Sequence, residues 1–181
     1  MKLATIKTGG RDGTSVLVSL DMKRMVVATS VVPTVRDAIE NWNEAEPKLQ
    51  TLASRLEAGS VDSLAYDPTL LASPLPRAFQ WADGSAYLSH MRLVRKARGA
   101  EMPENSEVDP LLYQGGGDGF LGPVDPIPCV DKEWGLDFEG EIAVITDDVP
   151  MGCSSKEAAS HIKLIMLCND ISLRHVMRPE L

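Results

Sequence analysis

The run "DFEGEIAVI" at 137–145 constrains this chain more than any other, because three carboxylates at alternate positions lead straight into an apolar stretch. In an extended strand alternate side chains share a face, so Asp137, Glu139 and Glu141 are expected on one side within about 14 Å of each other. Leu136 and Phe138 before them, and the run from Ile142 to Ile145 after them, predict a strand that enters a core. Isolated carboxylates are costly to bury there without a neutralising partner. Two readings stay open. The acidic face is solvated surface, or its oxygens hold a divalent cation; with no His or Cys in the set, that cation is a hard one, Mg²⁺, Ca²⁺ or Mn²⁺, rather than zinc.

Two further acids are candidates for the same oxygen cage: Asp83 in "WADGSAYLSH" and Asp170 in "LCNDISLR". Each has an equally plain alternative, Asp83-Gly84 as a turn and Asn169-Asp170 as a strand stop. His90 lies seven residues beyond Asp83, in a stretch read as a loop rich in Ser and Tyr. A histidine beside a cation can take a proton from water near neutral pH, whereas a lone histidine is commonly structural or exposed. The basic run Arg92, Arg95, Lys96 and Arg98 either attracts a carboxylate-bearing substrate or is a solvated face. "GDGFLG" matches G-x-G-x-x-G, but Pro123 follows it, with no strand-like run before and no helix after. The whole segment "YQGGGDGFLGP" is read as a flexible loop with Tyr113 at its entrance.

The rest of the chain supplies two regions. Residues 2–29 alternate β-rich runs, "KLATIK", "SVLVSL" and "MVVAT", with turn chemistry at Gly9, Gly10, Asp12-Gly13 and Asp21 to Arg24. Thr34-x-x-Asp37 resembles a capping box ahead of Val35, Ala38, Ile39 and Trp42 at helical spacing. Pro47 suits the first position of a second helix with Leu49, Leu52, Ala53 and Leu56 on one face and Gly59 as its stop. Pro68, Pro74 and Pro76 mark a connector, and the domain boundary is placed near residue 72. Beyond it, "EIAVITDD" and "HIKLIMLCNDIS" read as buried strands, with a short helix capped by Ser154-x-x-Glu157 before the second. The fold class expected is α+β: a small N-terminal β/α subdomain over 1–72, then irregular β structure with long loops over 73–181.

Charge and cysteine usage exclude several functions. A net charge of −8 argues against a nucleic-acid binder and against an anionic membrane surface. No apolar run approaches the ~20 residues of a membrane span, and "MKLATIKTGG" has no leader-like stretch, so a soluble cytoplasmic protein is expected. Cys129, Cys153 and Cys168 have no C-x-x-C spacing and are read as buried thiols.

Taken in order, "DGSAYLSH", "YQGGGDGFLGP", "DFEGEIAVI" and "NDISLR" resemble the fumarylacetoacetate hydrolase family, over the length of the chain. The resemblance implies that residues 73–181 form the first part of that family's mixed β-roll. It implies one Mg²⁺ or Ca²⁺, with Mn²⁺ as an alternative, held by Asp83, Glu139, Glu141 and Asp170, and His90 as general base. Asp137 is then left to an outer or structural role. The implied activity is hydrolysis of a carbon–carbon bond in a 2,4-diketo acid of the fumarylacetoacetate or acylpyruvate type. Tyr113 matches a substrate-contacting tyrosine, and Arg98 lies one position from the family's substrate arginine. Ser85 stands where the family can place a tyrosine, with Tyr87 as a compensating contact.

The family continues past the N-D-x-S-x-R segment with a lysine-bearing loop, a glutamate that orients the histidine and a threonine near a Gly-rich turn, whereas this sequence stops at "RHVMRPEL". Two expectations follow: a hydrolase whose remainder lies in a longer chain or comes from a second polypeptide, or a non-catalytic metal-binding fragment or subunit. Some relatives decarboxylate or isomerise instead. A homodimer is the assembly that the resemblance implies.

Overall fold

The computed structural model describes residues 1–97 and 99–177. The chain divides into two compact units, one taking in Met1–Leu75 and Leu121–Leu181, the other Pro76–Phe120.

The first unit begins with an antiparallel sheet of β1 (Lys2–Ile6), β2 (Thr14–Val18), β3 (Arg24–Val27) and β4 (Leu64–Ala65), in that order. Its strands are the expected ones except β4, whose Leu64-Ala65 is too short to carry a period. Gly13 closes the first hairpin at φ +64, and a Cβ there would lie 2.3 Å from Thr5 Cγ2 and 2.6 Å from the Ile6 carbonyl. Gly13→Ala is therefore expected to destabilise the unit by about 1–3 kcal/mol, the cost of holding a side chain in a sparsely allowed conformation. A urea midpoint equal to the parent's would refute this.

Thr34 caps α1 (Val35–Glu40): its hydroxyl accepts the Asp37 N–H while the Asp37 carboxylate accepts the Thr34 N–H. The second helix, α2 (Trp42–Glu57), starts five residues earlier than expected, so Pro47 sits inside it rather than at its first position. One missing N–H is tolerated there because Trp42, Ala45, Leu49, Leu52 and Leu56 form one buried stripe along the whole helix. That stripe packs on the sheet, and Leu17, Val26, Ala28, Val32, Ala38, Leu49 and Leu56 share one apolar cluster.

The segment after residue 121 is tied back to this sheet: Lys7 pairs with Asp125, whose other oxygen accepts the Gly122 N–H at 2.8 Å. These bonds, first the one from Lys7, hold the Asp125 carboxyl below its usual range. Beyond lie β7 (Leu136–Asp137), β8 (Gly140–Thr146), α4 (Ser155–Ala158), β9 (Ile162–Asn169), β10 (Ser172–Leu173) and α5 (Arg174–Met177). As expected, Ser154 and Glu157 cap α4 reciprocally.

β8 and β9 form an antiparallel ribbon, but they are not the buried strands that their composition predicts. Ile142, Val144, Ile165 and Leu167 stand on one face with exposures of 60, 47, 71 and 82%. Cross-strand pairing sets Ile142 against Leu167 and Val144 against Ile165, so the four make one apolar stripe. The buried apolar residues lie between Val16 and Leu71, with Met91 in the other unit; among the described residues none follows it. Composition names a strand that needs cover, and the described chain leaves this face without it.

The second unit is built on the hairpin of β5 (Trp81–Ser85) and β6 (Leu111–Gly115), with α3 (Leu88–Ala97) in the connection. This corrects two loop readings. Leu111–Gly115 is a strand, so Tyr113 lies within a ladder and not at a loop mouth. His90 lies in α3, where Leu88, Met91, Val94 and Arg95 recur at helical spacing on the more sheltered side. Among the described residues no helix is long and apolar enough to cross a membrane. Cys129 is exposed and Cys153 and Cys168 are half-buried, not buried as expected.

Candidate metal site

The expected continuous strand over 137–145 is broken at Phe138 and Glu139, between β7 and β8. The break is held by the N-D-x-S-x-R segment, which runs antiparallel beside it. β10 pairs Ser172 with Asp137 and β9 pairs Asn169 with Gly140, so the two motifs quoted from the sequence are neighbours across ladders. At the break the Glu139 N–H donates to Asn169 Oδ1 at 3.1 Å, and the Asp170 N–H donates to the Glu139 carbonyl at 2.9 Å. Asn169 therefore ends β9, as the strand-stop alternative had it, and it also stitches the break.

The carboxylates sort by position. Glu141 lies on the more sheltered face of β8 with Ala143 and Ile145, opposite Cys168, and is half-buried, as is Asp170. Ligand oxygens of Glu141 and Asp170 lie within 4.8 Å of each other. Two oxygens sharing a hard cation at 2.0–2.6 Å are separated by at most about 5 Å, so this pair fits one divalent ion. Among the described residues, the carboxylate group formed here takes in Glu141 and Asp170 but not Glu139.

Glu139 is instead seen gripped from the side. Its Oε1 accepts the Ser172 hydroxyl at 2.7 Å and lies 2.6 Å from Arg174 Nη2. Arg174 Nε donates to Asp137 Oδ2 at 2.9 Å, which gives Asp137 a structural ion-pair role. Burial, the largest influence on the guanidinium, lowers its pKa; the bond to Asp137 and the charges of Glu139 and Asp137 outweigh it and raise the pKa above its ordinary value. Ser172 and Arg174 are the residues that sequence reasoning missed. Both stood in the quoted motif, and two acids at alternate positions should have raised the question of a protein cation beside them.

In the second unit, Asp83 is in β5, half-buried, and belongs to a strand and not to the turn that Asp83-Gly84 suggests. It stands opposite Tyr113 in the β5–β6 ladder, and the Tyr113 ring meets Trp81 at 5.5 Å between centroids and a 60° tilt. His90 and Tyr87 are exposed, on α3 and just before it. Arg92 pairs with Glu107 at 2.6 Å with both side chains more than half exposed, a solvated surface pair. Arg98, a candidate substrate contact, lies outside the described residues.

Two family models together match nearly the whole chain. Fumarylacetoacetase N-terminal domain 2 matches residues 1–77, and the fumarylacetoacetate (FAA) hydrolase C-terminal model matches residues 80–181. No curated protein matches the chain. Members of this family are generally enzymes, hydrolases, decarboxylases and isomerases among them, and they commonly bind divalent metals. With an acidic pair at ion-sharing distance in the motif that the second model covers, the chain belongs to the fumarylacetoacetate hydrolase family.

Proposed function

We propose that this chain is the metal-binding part of a divalent-metal-dependent hydrolase that cleaves a carbon–carbon bond in a 2,4-diketo acid of the fumarylacetoacetate or acylpyruvate type. The observation that carries the reading is the Glu141–Asp170 pair, two half-buried acids whose oxygens lie within 4.8 Å. Two carboxylates this close repel each other, and a shared cation removes that repulsion. Glu139 and Asp83 complete the proposed ligand set for Mg²⁺ or Ca²⁺, with Mn²⁺ as a substitute. When bound, a hard cation supplies Lewis-acid stabilisation of charge developing on substrate oxygens.

The chain's own residues then divide the work. His90 takes a proton from water, which attacks one carbonyl carbon; the adjacent carbon–carbon bond breaks and its electron pair leaves as an enolate, later protonated to the keto acid. Tyr113, Tyr87 and Arg98 hold the substrate's distal part. The exposed stripe of Ile142, Val144, Ile165 and Leu167 favours a form in which further strands cover β8–β9. We assign those strands to the rest of the family's roll, from a longer chain or a second polypeptide, within a homodimer. The domains are taken as 1–72 and 73–181.

The test is acylpyruvate cleavage by the assembled form with Mg²⁺ and with EDTA. Turnover is expected with Mg²⁺ and not with EDTA, and His90→Ala is expected to lower it by about 10²–10⁴-fold, the usual contribution of a general base, while leaving cation binding intact. Equal turnover by His90→Ala and parent removes His90 from the mechanism; turnover in EDTA removes the metal.

A further inference from the structure

We infer that Arg174 is a positioning residue of this site, bridging Asp137 and Glu139 so that the carboxylate of Glu139, a ligand in the proposed set, is held in one orientation. The inference rests on the metal reading above and deepens it.

The argument starts from the break in the strand. Residues 138 and 139 belong to neither β7 nor β8, so no continuous ladder fixes the Glu139 side chain. A carboxylate on irregular backbone keeps its rotamer freedom unless its own atoms are held. Arg174 holds it in a way that a lysine cannot. The planar guanidinium reaches two acids at once, Nε to Asp137 Oδ2 at 2.9 Å and Nη2 to Glu139 Oε1 at 2.6 Å, and Ser172 Oγ adds a third bond at 2.7 Å to that same Glu139 oxygen.

The brace is itself anchored. The Arg174 N–H donates to the Gly135 carbonyl at 3.0 Å, just ahead of β7, and β10 immediately before Arg174 is laddered to β7. Backbone and side chain of Arg174 thus grip the 135–139 segment at three points. Shelter makes the grip count: the Arg174 and Glu139 side chains are 26 and 15% exposed, so their charge-assisted bond is less screened than a surface pair. Asp170, two residues before Ser172, is carried on the same segment, so one short run presents a ligand and braces its neighbour.

A competing effect has the opposite sign. If Arg174 acted only as a positive charge near the site, removing it would tighten cation binding. If it positions Glu139, removing it weakens binding. The experiment is Mn²⁺ titration of the full chain, followed calorimetrically, for the parent, Arg174→Met, Arg174→Lys and Ser172→Ala, together with a cation-free melt of each.

Arg174→Met is expected to lose about 10–100-fold in Mn²⁺ affinity, the range for partners that orient a metal ligand. Arg174→Lys is expected to stay weak, since it restores the charge without the two-point bridge. Ser172→Ala is expected to lose less, in the same direction, with its cation-free melting midpoint within a few degrees of the parent. Unchanged or tighter Mn²⁺ binding in Arg174→Met overturns the inference; if that variant does not fold, unchanged binding in Ser172→Ala overturns it. A parent that takes up no Mn²⁺ overturns the metal reading first, and the inference with it.

Discussion

Glu141→Gln is expected to lower the chain's affinity for Mg²⁺ by at least about a hundredfold in titration calorimetry, because the substitution keeps the shape of the side chain and removes a charged ligand. The loss should match or exceed the upper end of the 10–100-fold that a ligand's outer hydrogen-bond partner is worth. The same substitution has a second, opposite signature without the cation. Two carboxylates within 4.8 Å repel by about 1–3 kcal/mol at effective dielectric constants between those of water and the protein surface. Neutralising one relieves that repulsion in the cation-free chain, and the rise of the melting midpoint on adding Mg²⁺ should disappear in Glu141→Gln. Unchanged affinity would sink the metal assignment.

Leu17→Ala is expected to have the largest effect on stability. Leu17, in β2, is fully buried and belongs to the cluster with Val26, Ala28, Leu49 and Leu56. Removing its side chain leaves a cavity between sheet and helix, and losses of about 2–5 kcal/mol are usual for such a site. Urea unfolding measures this directly, and a cost below about 1 kcal/mol would mean that this cluster is not the main core. Mg²⁺ affinity under native conditions should stay within about twofold of the parent's, since the apolar cluster of Leu17 is formed by the N-terminal sheet and its helices. Together the two variants separate the part of the chain that holds it folded from the part proposed to hold the ion.

How far the sequence could be read follows the range over which its signals act. The hairpins of residues 2–27 and the capped helix at 35–40 were legible because turn glycines, Thr34 and Asp37 act on residues beside them. The start of α2 was not, because Pro47 is a strong local signal that a long buried stripe overrides. His90 was placed in a loop because Ser and Tyr around it mask the spacing of Leu88, Met91 and Val94. Glu141 and Asp170 were singled out by type and motif order, and the structure brings their oxygens within 4.8 Å. The side-on grip on Glu139 was not, since it depends on Ser172 facing Asp137 across β10 and β7, a pairing between segments more than thirty residues apart. Burial of β8 and β9 was misjudged for a related reason: apolar residues declare that a face wants cover, not where the cover comes from.

The register of β8 and β9 sets the loop that lies between the two acids. Thr146 pairs with Ile162, so residues 147–161 must loop back before Glu141 and Asp170 can meet. Closing such a loop costs conformational entropy that grows only as the logarithm of its length, and it is the ladder that offsets it, one bond pair at a time from the loop end toward Gly140 and Asn169. The two acids lie at the end of that ladder far from the loop, Glu141 on its penultimate rung and Asp170 just past the last. A cation meeting the unfolded chain finds scattered acids with no common geometry, while one meeting the closed hairpin finds a pair already in place. A cation held by that pair would in this sense latch a finished hairpin and not template its making, by binding the paired strands and not the unfolded chain.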